Sequence, residues 1–146
     1  MKIMIGRSDK GDFPEFELTD IDVKIDSGAY TSSIHCGNIE EYIKNGIRYI
    51  QFTLLDPNHE LYNNKVFSSK NYTTKVVKSS NGATEERYAI QTEIILFEKK
   101  YTIDLTLSQR SDMKFPVLLG RKFLNKQFII DPSRTNLSYN LKEKQH

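Results

Sequence analysis

Short alternating stretches of apolar and polar residues, separated by turn signals, are the feature that most restricts the fold of this chain. Residues 21–26 read IDVKID, and their apolar side chains fall on one face of an extended segment, which is the period of a β-strand. Asn45-Gly46 lies between two further strand-like runs. Both residue types readily adopt the positive φ of a tight turn, so the pair predicts a β-hairpin.

The same pattern continues through the second half of the chain. A second hairpin is predicted over residues 75–97, with its tip at residues 79–84, and the chain reverses again at residues 99–100. Many short strands with turns at close intervals are typical of a small barrel or a sandwich. The sequence therefore predicts an all-β protein.

Little helix is expected, and it lies near the C-terminus. The one helix that the sequence predicts is short and begins near Arg121. Residues 128–131 (FIID) and 137–141 (LSYNL) indicate closing strands. We expect a single domain over residues 1–140, followed by a frayed tail at residues 141–146.

Composition excludes several classes of protein. The chain has 146 residues, of which 38% are hydrophobic and 27% charged, as in a folded globular domain. The net charge of +2 is too small to indicate nucleic-acid binding. No apolar run approaches the roughly 20 residues of a membrane span, and the first residues lack the apolar region of a signal peptide. We therefore expect a cytoplasmic protein without a membrane or nucleic-acid partner. Its single cysteine, Cys36, excludes an intrachain disulfide.

Asp26-Ser27-Gly28-Ala29 carries the first indication of chemistry. A carboxylate at the end of a strand, followed by a small hydroxyl residue and a glycine, suits a tight loop whose amides turn toward the carboxylate. Two such loops facing each other would bring two carboxylates together, and these would share one proton. One would act as a base on water and the other as an acid toward a carbonyl oxygen. An ordinary acidic turn is the alternative at this point.

The second indication is the stretch FPVLLGRKFL at residues 115–124, where an apolar strand ends in Gly120 and turns into a short helix. In this order after Asp-Ser-Gly, it resembles the retropepsin half of aspartic proteases, in which such an apolar-apolar-glycine strand packs over the catalytic loop. Without that resemblance, the stretch is a buried strand ending in glycine.

Across the whole chain, the sequence resembles a bacterial, RimB-like family of retropepsin-like aspartic peptidases that is also known as ATP-dependent zinc proteases. The residues that carry the resemblance are KIDSGAYTSSIH at residues 24–35, VKSSNG at 77–82, EIIL at 93–96, DLTLSQRSDM at 104–113 and LLGR at 118–121. Members typically have threonine where this chain has Ser27, and both residues supply a hydroxyl. The usual Asn-Arg is Gln109-Arg110 here.

The resemblance implies a closed, retropepsin-like (acid protease) barrel with one short C-terminal helix, and an aspartic endopeptidase with Asp26, Ser27 and Gly28 in the catalytic loop. The chain contains no second Asp-Ser-Gly or Asp-Thr-Gly. A homodimer with paired Asp26 carboxylates is therefore the simplest route to peptidase activity. Some family members work alongside ATP-grasp ligases that add glutamate to a protein, which suggests a functional link to such a ligase. Residues 38–72 are expected to form an added hairpin or loop.

Four cations are expected near the catalytic loop in a retropepsin arrangement: Lys24, Lys78, Arg110 and Arg121. Together they would favour an acidic, glutamate-rich peptide or protein tail as substrate. The alternative for each is ordinary solvated charge, and for Arg121 also an internal ion pair that supports the barrel.

The tip of the second hairpin is the candidate flap. Ser79, Ser80 and Asn81 would form hydrogen bonds with a peptide backbone, and Gly82 would allow the turn. On composition alone, it is a polar hairpin tip.

Metal and nucleotide binding find little support. The histidines are His35, His59 and His146, and His35 and Cys36 are neighbours whose side chains would point to opposite faces of a strand. Three ligands converging on one point, as a catalytic zinc requires, are not indicated, and no phosphate-binding glycine loop is present. We expect no metal and no cofactor. A non-catalytic module for acidic peptides and a zinc-dependent hydrolase remain the two alternative functions.

Overall fold

The structure, a computed structural model, describes residues 1–78, 81–109 and 114–144. In this part of the chain, the strands are β1 (Ile3–Ile5), β2 (Ser8–Phe13), β3 (Leu18–Ile25), β4 (Ser32–Lys44), β5 (Ile47–Leu54), β6 (Val66–Ser69), β7 (Tyr72–Lys78), β8 (Thr84–Leu96), β9 (Lys99–Ser108), β10 (Val117–Leu119) and β11 (Phe128–Ile130). The helices are α1 (Arg121–Leu124) and α2 (Leu137–Lys144), with one 3-10 turn at Pro14–Phe16. The prediction of a mainly β protein is confirmed.

Six of the strands are hydrogen-bonded into a closed ring in the order β10, β3, β2, β8, β9 and β4, and β4 pairs again with β10. β10 runs parallel to β3 and antiparallel to β4, so a strand of three residues joins the two ends of the sheet. The interior is filled by alternate residues of these strands, and Val23, Ile34, Leu105, Val117 and Leu119 are among those almost fully buried. The alternation in the sequence therefore corresponds to the inner and outer faces of the ring.

Two strands extend beyond the ring. β4 and β8 each have 13 residues. β4 continues into pairing with β5, which in turn pairs with β6, so residues 38–72 contain an added hairpin and a third strand. The turn between β4 and β5 has Asn45 at φ 51° and Gly46 at φ 76°, which confirms the first predicted hairpin.

β8 pairs with β7 from Lys78↔Thr84 to Tyr72↔Ile90 and forms the second predicted hairpin. Residues 79 and 80 of its tip lie outside the described residues.

The C-terminal region differs from the sequence prediction in one element. α1 confirms the short helix expected at Arg121, and β11 confirms the strand expected at FIID, where it pairs in parallel with β1. The strand predicted at LSYNL is wrong, because these residues begin helix α2, which also includes residues 141–144 of the expected tail. A five-residue pattern is too short to separate the period of a strand from that of a helix. None of the helices within the described ranges has the length and apolar character that crossing a bilayer requires.

A buried carboxylate from the other end of the chain caps α2. Asp9 on β2 is 1% exposed, and its two carboxylate oxygens accept the backbone N–H groups of Ser138 and Tyr139 at 2.9 and 3.1 Å. These N–H groups lie in the first turn of the helix, where no intrahelical acceptor exists. Burial raises the pKa of Asp9, and the backbone hydrogen bonds partly oppose that rise. Asp9 thus joins the C-terminal helix to the ring.

We predict that Asp9→Ala lowers the free energy of unfolding by about 1 to 2 kcal/mol, because the first-turn N–H groups of α2 lose their acceptors. Asp9→Asn keeps one acceptor oxygen and removes the charge. Because burial raises the pKa of Asp9 in the folded state, stability falls as pH rises from the unfolded-state pKa through the folded one. Asn has no charge to bury and keeps an acceptor oxygen, so it should cost less than Ala at neutral pH. Urea denaturation measures both differences.

Asp22→Ala is the matched control. Asp22 lies on the adjacent strand β3, its side chain is 50% exposed, and it pairs with Lys10 at the surface. Its loss should cost under about 1 kcal/mol. Equal stability of wild type and Asp9→Ala would contradict the capping role.

Candidate active site

The Asp26 loop begins where β3 ends and is held by its own backbone. The N–H of Asp26 donates to the carbonyl oxygen of Leu119 at 2.9 Å, which fixes the loop to β10. The N–H of Gly28 donates to Oδ1 of Asp26 at 3.1 Å, as predicted for a tight loop whose amides turn toward the carboxylate. Asp26 is half-buried, whereas Ser27 and Gly28 are exposed. The carboxylate is therefore oriented by the loop and still accessible to a ligand.

Gly120 lets the end of β10 approach this loop closely. Its N–H donates to Oγ of Ser32 at 3.0 Å, and the next N–H, from Arg121, donates to the carbonyl oxygen of Ala29 at 2.8 Å. A Cβ atom on Gly120 would lie 2.6 Å from the carbonyl oxygens of both Tyr30 and Thr31. A side chain at this position would therefore displace the backbone that follows Asp26.

Arg121 supports the loop from outside. Its Nη1 donates to the carbonyl oxygen of Ser27 at 2.9 Å, and its guanidinium lies 5.8 Å from the centre of the Tyr30 ring. These contacts go to a backbone oxygen and an aromatic ring rather than to a carboxylate. Of the roles expected for Arg121, these contacts favour structural support. The support comes from a hydrogen bond and a cation–π contact rather than from the expected ion pair.

An open cleft of about 640 Å³ lies between the Asp26 loop and the β7–β8 hairpin. On the loop side it is lined by Asp26, Thr31 and Ser33, and on the hairpin side by Lys78 and Asn81, among others. The described residues of the hairpin thus lie across the cleft from the carboxylate, and the flap role expected of Ser79, Ser80 and Asn81 stays a prediction. Of the expected flap residues, Ser79 and Ser80 are outside the described residues.

The predicted cations differ in their relation to this cleft. Lys78 lines it. Lys24 is exposed on β3, and its register partner on β10 is Leu118, which does line the cleft. Arg110 lies outside the described residues, so its prediction as a substrate-binding residue stays a prediction, as does that of Lys24.

Arg87 is a cation of the cleft that sequence reasoning missed. It lies on β8 and lines the same cleft as Asp26, and its side chain is only 11% exposed. Its Nη2 forms an ion pair with Oε2 of Glu85 at 3.1 Å. The register of the hairpin could have identified it. Glu85 lies opposite Val77, and Arg87 lies opposite Lys75, so both side chains are on the same face of the hairpin as Val77.

The histidines and the cysteine do not form a metal centre in the parts of the chain that the structure describes, where no group of three or more His, Cys, Asp or Glu side chains is positioned for one. His35 is 8% exposed, and burial lowers its pKa. Cys36 is 2% exposed, and burial raises the pKa of its thiol to about 12, opposed by the charge of Arg87. A thiol in this state is a poor metal ligand, because zinc binds the thiolate.

We predict that Gly120→Ala destabilises the protein by about 1 to 3 kcal/mol, because its methyl group has no space beside the Tyr30 and Thr31 carbonyl groups. Gly37→Ala is the matched control, since the nearest atom to its Cβ would be Oγ1 of Thr53 at 3.5 Å, an ordinary contact. Denaturant unfolding of the two variants should therefore separate them. Equal effects would show that the close approach at Gly120 is not required.

We predict that Cys36 does not react with a thiol reagent such as an aromatic disulfide at neutral pH in the folded protein, since burial keeps it protonated and inaccessible. The same protein in denaturant should release one equivalent of the chromophore per chain, which serves as the internal control. Rapid labelling of the folded protein would contradict this.

Known proteins resemble the chain in both sequence and structure. A crystal structure from structural genomics, of a Legionella pneumophila protein with unknown function, has a TM-score of 0.75 and 28% sequence identity, and covers 94% of this chain and 99% of its own. A protein of Shewanella pealeana named probable alpha-L-glutamate ligase is 35% identical over 138 residues, which are 92% of this chain and 29% of that protein. A protein of Parasynechococcus marenigrum with the same name is 31% identical and covers 99% of this chain. The chain thus spans less than a third of the length of these curated relatives.

The family model that matches the chain covers residues 4–140, nearly its whole length, and is described as retropepsin-like aspartic endopeptidase RimB. The resemblance found in the sequence motifs is thereby confirmed. With its ring of strands, its Asp-Ser-Gly loop and the β10 strand over that loop, this chain belongs to the RimB-like family of retropepsin-like aspartic endopeptidases.

Proposed function

We propose that the protein is an aspartic endopeptidase that hydrolyses glutamate-rich peptides or protein tails, with paired Asp26 carboxylates of a homodimer at its centre. The observation that carries this proposal is the position of Asp26. Its carboxylate is oriented by the Gly28 amide, remains accessible, and faces a cleft that the β7–β8 hairpin covers. An ordinary acidic turn would not require the close packing of Gly120 behind it or a flap in front of it.

The chemistry needs a second carboxylate. Asp26 and Glu85 are the acidic residues that line the cleft within the described ranges, and Glu85 is paired with Arg87 rather than held in a glycine loop. A second copy of the chain would supply the missing group. The exposed Ser27 hydroxyl is suitably located on the loop surface to support the partner's loop.

In this dimer, the two carboxylates share one proton. The ionised carboxylate takes a proton from water as the water oxygen attacks the carbonyl carbon of the substrate. The protonated one gives its proton to the carbonyl oxygen. The tetrahedral diol then breaks its C–N bond. The carboxyl group that took the water proton gives it to the leaving nitrogen, and the other carboxylate takes a proton from one diol hydroxyl as the carbonyl group re-forms, so that the pair again holds one shared proton.

Two cations of the cleft are placed to contact an acidic substrate. Lys78 and Arg87 both line the cleft, on the hairpin side opposite Asp26. Curated relatives named as glutamate ligases contain a region similar to this chain within a protein more than three times as long. A ligase that adds glutamate and a peptidase that removes it would share a glutamate-rich chain as substrate, and this supports a functional link between the present chain and such a ligase.

One protomer holds a single Asp26 loop, and this observation also favours a second candidate, a non-catalytic module that binds acidic peptides in the same cleft. Oligomeric state separates the two, because a strict monomer at assay concentration would favour binding alone. A metal-dependent hydrolase would instead lose its activity on treatment with a chelator and regain it with zinc.

We predict that the wild type cleaves an oligoglutamate peptide faster than an oligoglutamine peptide of equal length, and that Asp26→Asn folds normally but loses hydrolysis by about three or more orders of magnitude. Asn keeps the shape of the side chain but cannot transfer the proton. Product formation is followed by mass spectrometry, and folding by circular dichroism.

Mixing the two proteins tests the dimer. If the chains exchange freely, equal amounts of wild type and Asp26→Asn should leave about a quarter of the dimers with two intact carboxylates, so specific activity per total chain falls to about that fraction. Activity equal to half would indicate that each chain acts alone. Retained hydrolysis by folded Asp26→Asn would end the aspartic-peptidase proposal.

A further inference from the structure

Arg87 occupies an unusual position among the cations of the protein. Its side chain lines the cleft that contains Asp26 and is only 11% exposed, whereas Lys78 at the end of β7 is exposed. Its charge lowers the pKa of the Cys36 thiol and so opposes the larger effect of burial. A buried cation is costly unless it is paired and hydrogen-bonded, and Arg87 therefore needs partners.

The partners that Arg87 has in the described residues are incomplete. A guanidinium has five N–H donors. One nitrogen, Nη2, contacts a single oxygen of Glu85, while Nε is buried and has no acceptor among the described residues. A second carboxylate oxygen in the guanidinium plane would satisfy this donor, since Arg and a carboxylate fit each other through two parallel hydrogen bonds.

Glu85 is a weak occupant of this position. It lies two residues before Arg87 on the same strand and face, its side chain is 57% exposed, and it contacts Arg87 through one oxygen only. Because Glu85 is itself exposed, its carboxylate regains contact with water when it leaves Arg87 and loses little. A carboxylate that enters the cleft with a substrate could therefore replace it at small cost.

We propose that Arg87 is the residue of this cleft that anchors a substrate carboxylate, and that Glu85 occupies the anchor in the free protein and competes with the substrate. This inference rests on the proposed preference for glutamate-rich peptides. It assigns recognition of the substrate carboxylate to Arg87 and competition with that carboxylate to Glu85. Arg87 is better suited than Lys78 to this role, because a planar, largely desolvated guanidinium binds a carboxylate with defined geometry and an exposed ammonium does not.

Binding to the inactive Asp26→Asn protein tests the anchor without requiring catalysis. A fluorescein-labelled oligoglutamate peptide is titrated with Asp26→Asn and followed by fluorescence anisotropy, with a labelled oligoglutamine peptide in parallel. Arg87→Gln in this background should weaken oligoglutamate binding by about tenfold or more and leave oligoglutamine unchanged. Arg87→Lys should weaken it several-fold, since the charge remains and the paired hydrogen bonds are lost.

Glu85→Gln tests the competitor. It should tighten oligoglutamate binding several-fold, because the anchor is no longer occupied, and this gain should disappear in the Glu85→Gln/Arg87→Gln double variant. Lys99→Gln is the matched control: this exposed lysine lies beyond the opposite end of β8, and its loss removes the same charge without touching the cleft. Its effect should stay within about twofold, as expected for a screened distant charge.

The outcomes divide clearly. Unchanged oligoglutamate binding in Arg87→Gln, or absence of oligoglutamate binding altogether, overturns the anchor. Should Arg87→Gln fail to fold, Arg87→Lys decides, and wild-type affinity in that variant overturns it too. Unchanged or weaker binding in Glu85→Gln overturns the competition. If binding depends on Arg87 but the wild type does not hydrolyse the peptide, the peptidase proposal is wrong and the anchor is supported. If the wild type hydrolyses oligoglutamate and Arg87→Gln does so equally well, the peptidase proposal is supported and the anchor is wrong.

Discussion

The hydrogen bonds of β10 are the interaction on which the rest of the structure depends. This strand of three residues lies between β3 and β4, and Val117 has register partners on both, Val23 and Ile34. It closes the ring, and its Leu119 carbonyl oxygen holds the N–H of Asp26. The same bonds therefore close the barrel-like ring and position the candidate catalytic carboxylate. A change that shifts β10 would therefore affect both the stability of the ring and the position of Asp26. Glycine is needed at position 120, where β10 ends, because a side chain there would meet the backbone carbonyl groups of Tyr30 and Thr31.

The sequence predicts those parts of the fold whose cause is local. Alternation marks the strands, and Asn45-Gly46 marks its hairpin because the two residues themselves accept positive φ. Helix α2 could not be predicted in this way. Its first-turn amides are satisfied by Asp9, which lies 129 residues before Ser138, and neither partner shows this from its own neighbourhood. A helix of eight residues is marginal alone, so its formation here depends on a tertiary contact that only the assembled ring supplies.

The residues of the candidate site likewise differ in whether neighbouring sequence or tertiary structure places them. Asp26 and Gly120 were identified because each belongs to a short motif whose geometry is set by adjacent residues. Arg87 belongs to no motif, and a charged residue on a strand is read as solvated unless the surroundings are known. Its side chain is only 11% exposed because of tertiary packing, which the residues around it in the sequence do not reveal. Arg121 shows the opposite case, since the motif predicted its proximity to the loop but not that its guanidinium would bind the Ser27 carbonyl oxygen from outside.

In the proposed scheme, selectivity follows from an exchange of ion pairs rather than from attraction alone. An acidic peptide replaces the single-oxygen contact of Glu85 with Arg87 by a two-oxygen contact, so it loses little and gains a better-satisfied guanidinium. A neutral peptide cannot make this exchange and must either leave Glu85 in the cleft or strand a buried cation. Specificity is a difference of affinities, and Glu85 narrows that difference, because it lowers the affinity only of ligands that need Arg87. The selectivity that remains for acidic ligands would come from the second hydrogen bond to Arg87, which a ligand carboxylate can accept and which Glu85, bound through one oxygen, does not.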